Sequence, residues 1–519
     1  MNISPSSIVR RLATSSCLKS WASPLGVFIL ALVPRLVDLS ARPFWLDEVY
    51  TYQRASLAPG ALMLDSFQNH HMPSFFLLLS PLVALGNPQF WLRLPSAVFG
   101  AVAVALVFVI ARRIAGQLAG VLAALILGLS PTVLAFAQEA RSYTLVMTLV
   151  LVALYGVVRL AQDLPAAGQG FGAAKTGWLC FVLGTAAALD VLGDGVPWLI
   201  AANLIFLCLA FIAPARGRFL RQVALADLVV AVLSVPLYAL LLHYEKQTVV
   251  VSLGWIPKLD AGRIWYNLGA VYLMHVADWV SYRLLNHHDV PGLVWLIDAL
   301  LLLALAVGVW RLRRRPSILI ILGIAFLFLP CLFLILSIWH PMLLPRYLLW
   351  SAAPFAILTG IGAATLLEGR QQLFIRLAVA GVAAVLLANL LPYYLVETKP
   401  RWDIAARLLA GEVNKGDVVY LSDTGARQIL RHYMPIGAQP AVLDHSLGDL
   451  AQAELAFSQC KRVWAVYGHA GQNTSTPKRF FAPLHVLGAP SLVQAAGSRI
   501  IIMLYNPQAN LASCTKPSQ

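Results

Sequence analysis

Apolar and polar positions fall in long blocks along this chain. Apolar runs near the ~20 residues that cross a bilayer occupy 24–40, 94–114, 118–136, 143–161, 177–191, 195–213, 222–243, 290–310, 317–338, 347–367 and 374–396, which predicts eleven transmembrane helices. The fifth and sixth are short and separated only by Leu192-Gly193-Asp194-Gly195, so a re-entrant pair is the alternative. The stretch 73–86 is apolar but short, the length of an interfacial or re-entrant segment. The first run follows Arg10, Arg11 and Lys19 like a signal peptide. It extends to about Leu39 with no small-residue cleavage site behind it, and reads as an uncleaved first span.

After residue 397 the pattern changes. Strand-like runs at 416–421, 462–467 and 499–504 alternate with helical stretches near 402–412 and 447–459, which predicts a small α/β domain. The expected organisation is a transmembrane domain over 1–396 and an extramembrane domain over 397–519. There is no Gly-rich phosphate loop and no internal repeat. Asn473-Thr474-Ser475 matches a glycosylation sequon.

Composition agrees with a polytopic membrane protein: 59% of residues are hydrophobic, 12% are charged, and mean hydropathy is +0.75. The net charge of +15 invites a nucleic-acid reading, but the distribution of the cations argues for membrane orientation instead. If 73–86 does not span, the N-terminal side holds sixteen Lys and Arg in about 60 loop residues and the other side nine in about 117. The N-terminus is therefore expected in the cytoplasm, and the loops 41–93 and 244–289 and the tail outside it. The six cysteines show no metal spacing; Cys460 and Cys514 would pair if the tail faces an oxidising compartment.

With this topology the chemically interesting residues fall on the outer side. Asp47 and Glu48 follow the first span, between Trp45 and Tyr50. His70 and His71 lie further along the same loop, Glu139 and Arg141 sit in the tight turn between the third and fourth spans, and Arg346 and Tyr347 stand at the start of the tenth. Belt aromatics, a solvated turn and a snorkelling arginine are the bland explanations of each residue alone. Together, two carboxylate sites and two arginines facing one compartment form a set that can deprotonate a hydroxyl and hold a phosphate. A polyprenyl-phosphate sugar, with a phosphate at headgroup level and an apolar tail, fits that set.

Four stretches in this order resemble the GT-C fold glycosyltransferases of lipid-linked sugars, and more narrowly the bacterial branch related to protein O-mannosyltransferases and to the aminoarabinose and galacturonosyl transferases of lipid A and core oligosaccharide. They are Phe44 to Glu48, Arg93 to Gly100, Leu129-Ser130-Pro131 with Gln138 to Tyr143, and Pro345 to Leu349. The chain departs from the family's His-Pro-Pro-Leu-Tyr run, reading His70-His71-Met72-Pro73-Ser74-Phe75-Phe76. The resemblance implies Asp47 as the catalytic carboxylate, Glu48 supporting it, and Glu139 as the second acidic position, orienting the acceptor or a metal. It implies Arg141 and Arg346 on the donor phosphate with Tyr347 nearby; His70 and His71, on the same outer side, are further candidate substrate-binding residues. Some members hold a divalent metal near the first acidic motif and others do not; His70, His71, His275, His287 and His288 are candidate ligands, and no organic cofactor is expected.

The expected activity is inverting transfer of a sugar from a polyprenyl-phosphate donor to a hydroxyl of an envelope lipid, glycan or protein, at the outer face of a bacterial cytoplasmic (inner) membrane. The partners are those substrates and membrane lipids, not nucleic acid. A transporter or lipid-linked-sugar flippase is the competing class. Such proteins favour internal repeats and mid-depth ionisable groups, and here acids in or beside the later spans are few, among them Asp190, Asp194 and Asp298. A non-catalytic scaffold of the same fold is a third reading, in which Asp47→Asn would be silent.

Overall fold

The structure, a computed structural model, describes residues 23–193, 195–244, 256, 258–274, 291–395, 397–421, 425–439, 446–447, 450–468, 483–497, 500–510 and 514. The sequon at 473–475, His275, His287, His288 and Asp194 lie outside the described residues. The chain divides into two compact units. One comprises 1–39, 54–277 and 290–391, and the other 40–53, 278–289 and 392–519. The expected cut at 396/397 thus lies close to one boundary, while the stretch carrying Asp47 and Glu48 groups with the later chain.

The first unit is the membrane body. All eleven expected spans are helical, but among the described residues eight helices are long and apolar enough to cross a membrane, or nine if one bent pair counts as a span. Helix α1 (Pro24–Leu36) has 13 residues and Lys175–Val191 has 17. α1 stops early because its end is claimed by side chains. Gln138 Nε2 donates to the carbonyls of Arg35 (3.1 Å) and Val37 (2.7 Å), and Arg93 Nη1 donates to Leu39 O at 2.9 Å. These bonds satisfy carbonyls that a helix terminus leaves open.

The expected span 118–136 is two helices, Gln117–Gly128 and Pro131–Ala137, bent by 66°. Pro131 has no N–H to continue the ladder, and Ser130 restarts the helix by accepting from Val133 N at 3.4 Å. The fully buried Arg35 takes up the break, donating through Nη1 to Gly128 O at 3.3 Å.

The fifth and sixth expected spans form a hairpin of two helices, Lys175–Val191 and Gly195–Ile212. Trp198 Nε1 donates to Thr185 Oγ1 across it at 3.0 Å. The stretch 73–86 forms a short helix, Ser74–Leu79, and a 3₁₀ turn, Ser80–Leu85. Elsewhere, small residues let backbones touch. A Cβ on Gly362 (helix Ala352–Leu366) would stand 1.7 Å from Ala304 O of helix Pro291–Leu312.

Among the described residues of the second unit the strands are β1 (Val418–Leu421), β2 (Ser446–Leu447), β3 (Val463–Tyr467), β4 (Leu492–Ala495) and β5 (Ile501–Tyr505), in spatial order β2-β1-β3-β5-β4. β2, β1 and β3 are parallel; β5 runs antiparallel to both β3 and β4. The three expected strands are β1, β3 and β5. Phe457, Val463, Ala465, Leu484 and Tyr505 form a core. The side chain of Asp417 receives Arg462 Nη2 at 2.6 Å and Trp464 Nε1 at 3.0 Å. Burial pushes that carboxyl up, but the bonds from Arg462, Asn414 N and Trp464 leave it below the usual range. Cys460 and Cys514 form a disulfide with Cα atoms 5.5 Å apart.

Candidate functional site

In the first unit the site is built around two turns. Helix Pro59–Gln68 ends in a Schellman closure: His70 N donates to Phe67 O (3.1 Å) and His71 N to Ser66 O (2.9 Å). His70 occupies the left-handed position, φ 58°, where glycine is usual. That reversal, followed by Pro73, sets the direction of the His71 side chain.

The second turn, residues 138–142, is tight as expected. Arg141 N donates to Glu139 O at 2.7 Å, Ser96 Oγ donates to Arg141 O at 2.9 Å, and Thr144 Oγ1 ties back to Ser96 O at 2.9 Å. Glu139 and Arg141 are half-buried.

The two turns meet. His71, Met72, Phe75, Phe76, Arg141, Ser142, Val191 and Leu192 line one small cleft. Five of these side chains are apolar, and Arg141 brings a guanidinium to the lining. His71 is held at a pKa of about 3, first by burial and then by the positive charges of Arg141 and Arg54 and by His70. It is therefore a neutral imidazole at every physiological pH, able to accept or donate one hydrogen bond without adding charge.

Arg54, which the sequence reading did not single out, bonds Asp65 Oδ2 through Nε at 2.6 Å and lies over the Phe76 ring at 4.7 Å. The only sequence signal for it was an arginine on the outer side, where cations are few.

Arg346 and Tyr347 lie on a 3₁₀ turn, Pro345–Ser351, that packs against helix Tyr143–Gln162. Tyr272 Oη and Ser351 Oγ share a hydrogen bond of 2.6 Å, which pins the turn. The Arg346 guanidinium sits 5.1 Å from the Tyr347 ring centre, and that ring stacks on Phe333 at 5.5 Å. An arginine oriented by an aromatic face presents its fork of donors in a fixed plane.

In the second unit, Asp47 and Glu48 open the helix Leu46–Ala55. Their environments differ. Asp47 is half-exposed, whereas Glu48 is fully buried, with Oε2 2.6 Å from Lys399 Nζ. Glu48 also sits at the third helical position and accepts from Trp45 N at 3.4 Å, half of a capping box. Two adjacent carboxylates therefore split into one accessible group and one group committed to holding the helix.

Among the described residues no three His, Cys, Asp or Glu side chains stand together as a ligand set, so no step below is routed through a metal.

The fold is of the GT-C type, a multi-pass helical membrane body with a small α/β domain. Residues 70–240 match the family model described as dolichyl-phosphate-mannose-protein mannosyltransferase. No curated protein sequence matches the chain. Among solved structures, ArnT from Cupriavidus metallidurans in the apo state is similar at 16% identity, with 97% of this chain and 100% of that chain covered and a TM-score of 0.57. The same protein bound to undecaprenyl phosphate matches at 15% identity, 95% and 99% coverage and a TM-score of 0.55. The oligosaccharyltransferase AglB from Archaeoglobus fulgidus, in complex with an inhibitory peptide and a dolichol-phosphate, matches at 14% identity, 86% and 69% coverage and a TM-score of 0.50.

Proposed function

We propose that the protein is an inverting glycosyltransferase that moves a sugar from a polyprenyl-phosphate donor to a hydroxyl of an envelope lipid, glycan or protein on the outer face of the bacterial cytoplasmic membrane. One observation carries the reading: every residue of the arginine- and histidine-lined cleft falls within 70–240, the segment that fits the mannosyltransferase family model. The bound undecaprenyl phosphate and dolichol-phosphate of the structural relatives support a lipid phosphate as the ligand class. The Cys460–Cys514 disulfide supports an oxidising compartment for the second unit.

In this reading Arg141 and Arg346 hold the donor phosphate by charge-assisted hydrogen bonds. Neutral His71 contributes a hydrogen bond, and Phe75, Phe76, Val191 and Leu192 face the isoprenoid or sugar. Asp47 accepts the proton of the acceptor hydroxyl. The oxygen forms its bond to the anomeric carbon as the bond from that carbon to the phosphate oxygen breaks, and the electron pair leaves with the phosphate. Oxocarbenium-like charge develops on the sugar, and the arginines stabilise the departing polyprenyl phosphate. One displacement inverts the anomeric centre. Glu139 orients the acceptor, and Glu48 supports the helix that carries Asp47.

The test is mass spectrometry of envelope lipids and glycans from cells lacking the gene, cells carrying it, and cells carrying Asp47→Asn at equal protein level. One sugar mass missing from both the deletion and the variant is expected, since base assistance is worth roughly 10²–10⁴-fold. A glycan restored by Asp47→Asn would overturn the mechanism and point to transport or scaffolding.

A further inference from the structure

The turn bearing Asp47 is seated on chain that follows the last membrane helix, and the contacts crowd around that one residue. Phe44 N donates to Tyr433 Oη, whose hydroxyl in turn faces Phe44 O at 3.4 Å. The Phe44 and Tyr52 rings meet His432 at 5.9 and 5.1 Å. Leu46 packs on Gly425 so closely that a Cβ there would lie 2.4 Å from Leu46 Cδ2. Glu48 is paired with Lys399. Arg42 lies 4.1 Å from the centre of the Tyr393 ring.

A buried ion pair is a poor device for stability alone, because an apolar pair of similar volume often serves as well. It is directional, however. Lys399 fixes the Glu48 side chain, the Glu48 carboxylate fixes the first-turn backbone at Trp45, and Thr51 Oγ1 closes on Asp47 O at 2.9 Å. Each of these bonds acts on the turn that orients Asp47.

We propose that Lys399, Gly425, His432 and Tyr433 form a positioning seat for the Asp47 turn, so that the α/β chain after residue 392 is a working part of the catalytic machinery. The inference rests on the reading of Asp47 as the base. These are positioning residues: they reach the reaction only through the turn.

The test uses the full-length protein in cells and in nanodiscs, with Tyr433→Phe, Lys399→Met, Lys399→Arg, the doubly neutral Glu48→Gln/Lys399→Met, and Asp47→Asn. Product is read by envelope mass spectrometry, folding by thermal midpoint, and binding by the Kd for undecaprenyl phosphate. A tenfold or greater loss of product is expected in Tyr433→Phe and in the double variant, with midpoint and Kd close to wild type. Lys399→Arg should recover a large part of the product that Lys399→Met loses. The double variant removes the stranded buried carboxylate, so low product in it is not a folding defect. Wild-type product in Tyr433→Phe and the double variant, with none in Asp47→Asn, would overturn the seat and leave the base standing. Product in Asp47→Asn would overturn both.

Discussion

Arg54 Nε meets Asp65 Oδ2 at 2.6 Å, with the arginine side chain 8% exposed and the aspartate 40%. Burial lowers the Arg54 pKa, Asp65 opposes that shift, and Arg141 adds to it. Asp65 is therefore the counter-charge that lets a second guanidinium stand near the cleft. Asp65→Asn should destabilise the fold by about 1–3 kcal/mol, since a mostly buried cation loses its carboxylate while the site keeps some solvent. Thermal unfolding in nanodiscs measures it, and an unchanged midpoint would mean that Arg54 is held by its other neighbours.

Arg346 tests the phosphate assignment. Its guanidinium plane is set by Tyr347, which Phe333 supports. A charge-assisted hydrogen bond is worth about 1.5–3 kcal/mol, so Arg346→Ala should weaken undecaprenyl phosphate roughly 10- to 100-fold. Arg346→Lys should recover only part of this, because an ammonium neither forks nor stacks like a guanidinium. Calorimetric titration reads both. Unchanged affinity in Arg346→Ala would make Arg346 a snorkelling residue.

His71 gives a pH prediction with a definite sign. A protonated imidazole in the cleft would add a positive charge and tighten an anionic ligand as pH falls. With its pKa at about 3, below the ordinary 6.5, no such gain should appear between pH 8 and 5. His71→Gln should therefore share the wild-type pH profile for undecaprenyl phosphate binding. The same shift acts on folding. The unfolded state binds the proton first, so the contribution is full above pH 6.5 and is lost as pH falls from there toward 3. Extra tightening below pH 6 that His71→Gln lacks would show that the histidine does charge.

The legible parts of this chain are those whose signal is local. Apolar runs located the helices of the membrane body, but among the described residues eight or nine, not eleven, are long and apolar enough to cross a membrane; β1, β3 and β5 announced themselves as runs of β-branched and aromatic residues. The Glu139–Arg141 turn was visible because so few residues separate two spans. The bend at Ser130-Pro131 was hidden, although Ser-Pro is a helix-start signal, because hydropathy does not register a missing N–H. β2 has two residues, too few for any period. Arg54–Asp65 and Glu48–Lys399 join residues 11 and 351 positions apart. The latter separation gave no hint that the second acidic residue is a structural partner and the first is accessible.

The disulfide closes 54 residues of chain between Cys460 and Cys514. The loop-entropy model assigns a loop of that size roughly 4 kcal/mol, an upper figure because native contacts already restrict the chain. Cys460→Ser should lower the midpoint of the second unit's unfolding, and dithiothreitol should reproduce the shift in the wild type. It should leave the midpoint of Cys460→Ser unchanged. A wild-type protein insensitive to dithiothreitol under unfolding conditions would argue against the bond.

Gly362 links packing to the site. A Cβ there would lie 1.7 Å from Ala304 O and 2.6 Å from Gly308 N, both backbone atoms of the facing helix, so nothing flexible can give way. Gly362→Ala must push helix Ala352–Leu366 off its neighbour, and the turn carrying Arg346 runs directly into that helix. Overpacking of this kind typically costs 1–3 kcal/mol or more. The expected outcome is a fall in folded protein, and weaker undecaprenyl phosphate binding by the fraction that remains. Gly323 in helix Pro316–Leu336 is the control: a Cβ there meets nothing within 4 Å. Gly323→Ala should be neutral or stabilise by up to about 1 kcal/mol through helix propensity. Equal behaviour of the two variants in expression and binding would show that the close approach of the two helices does not hold Arg346 in place.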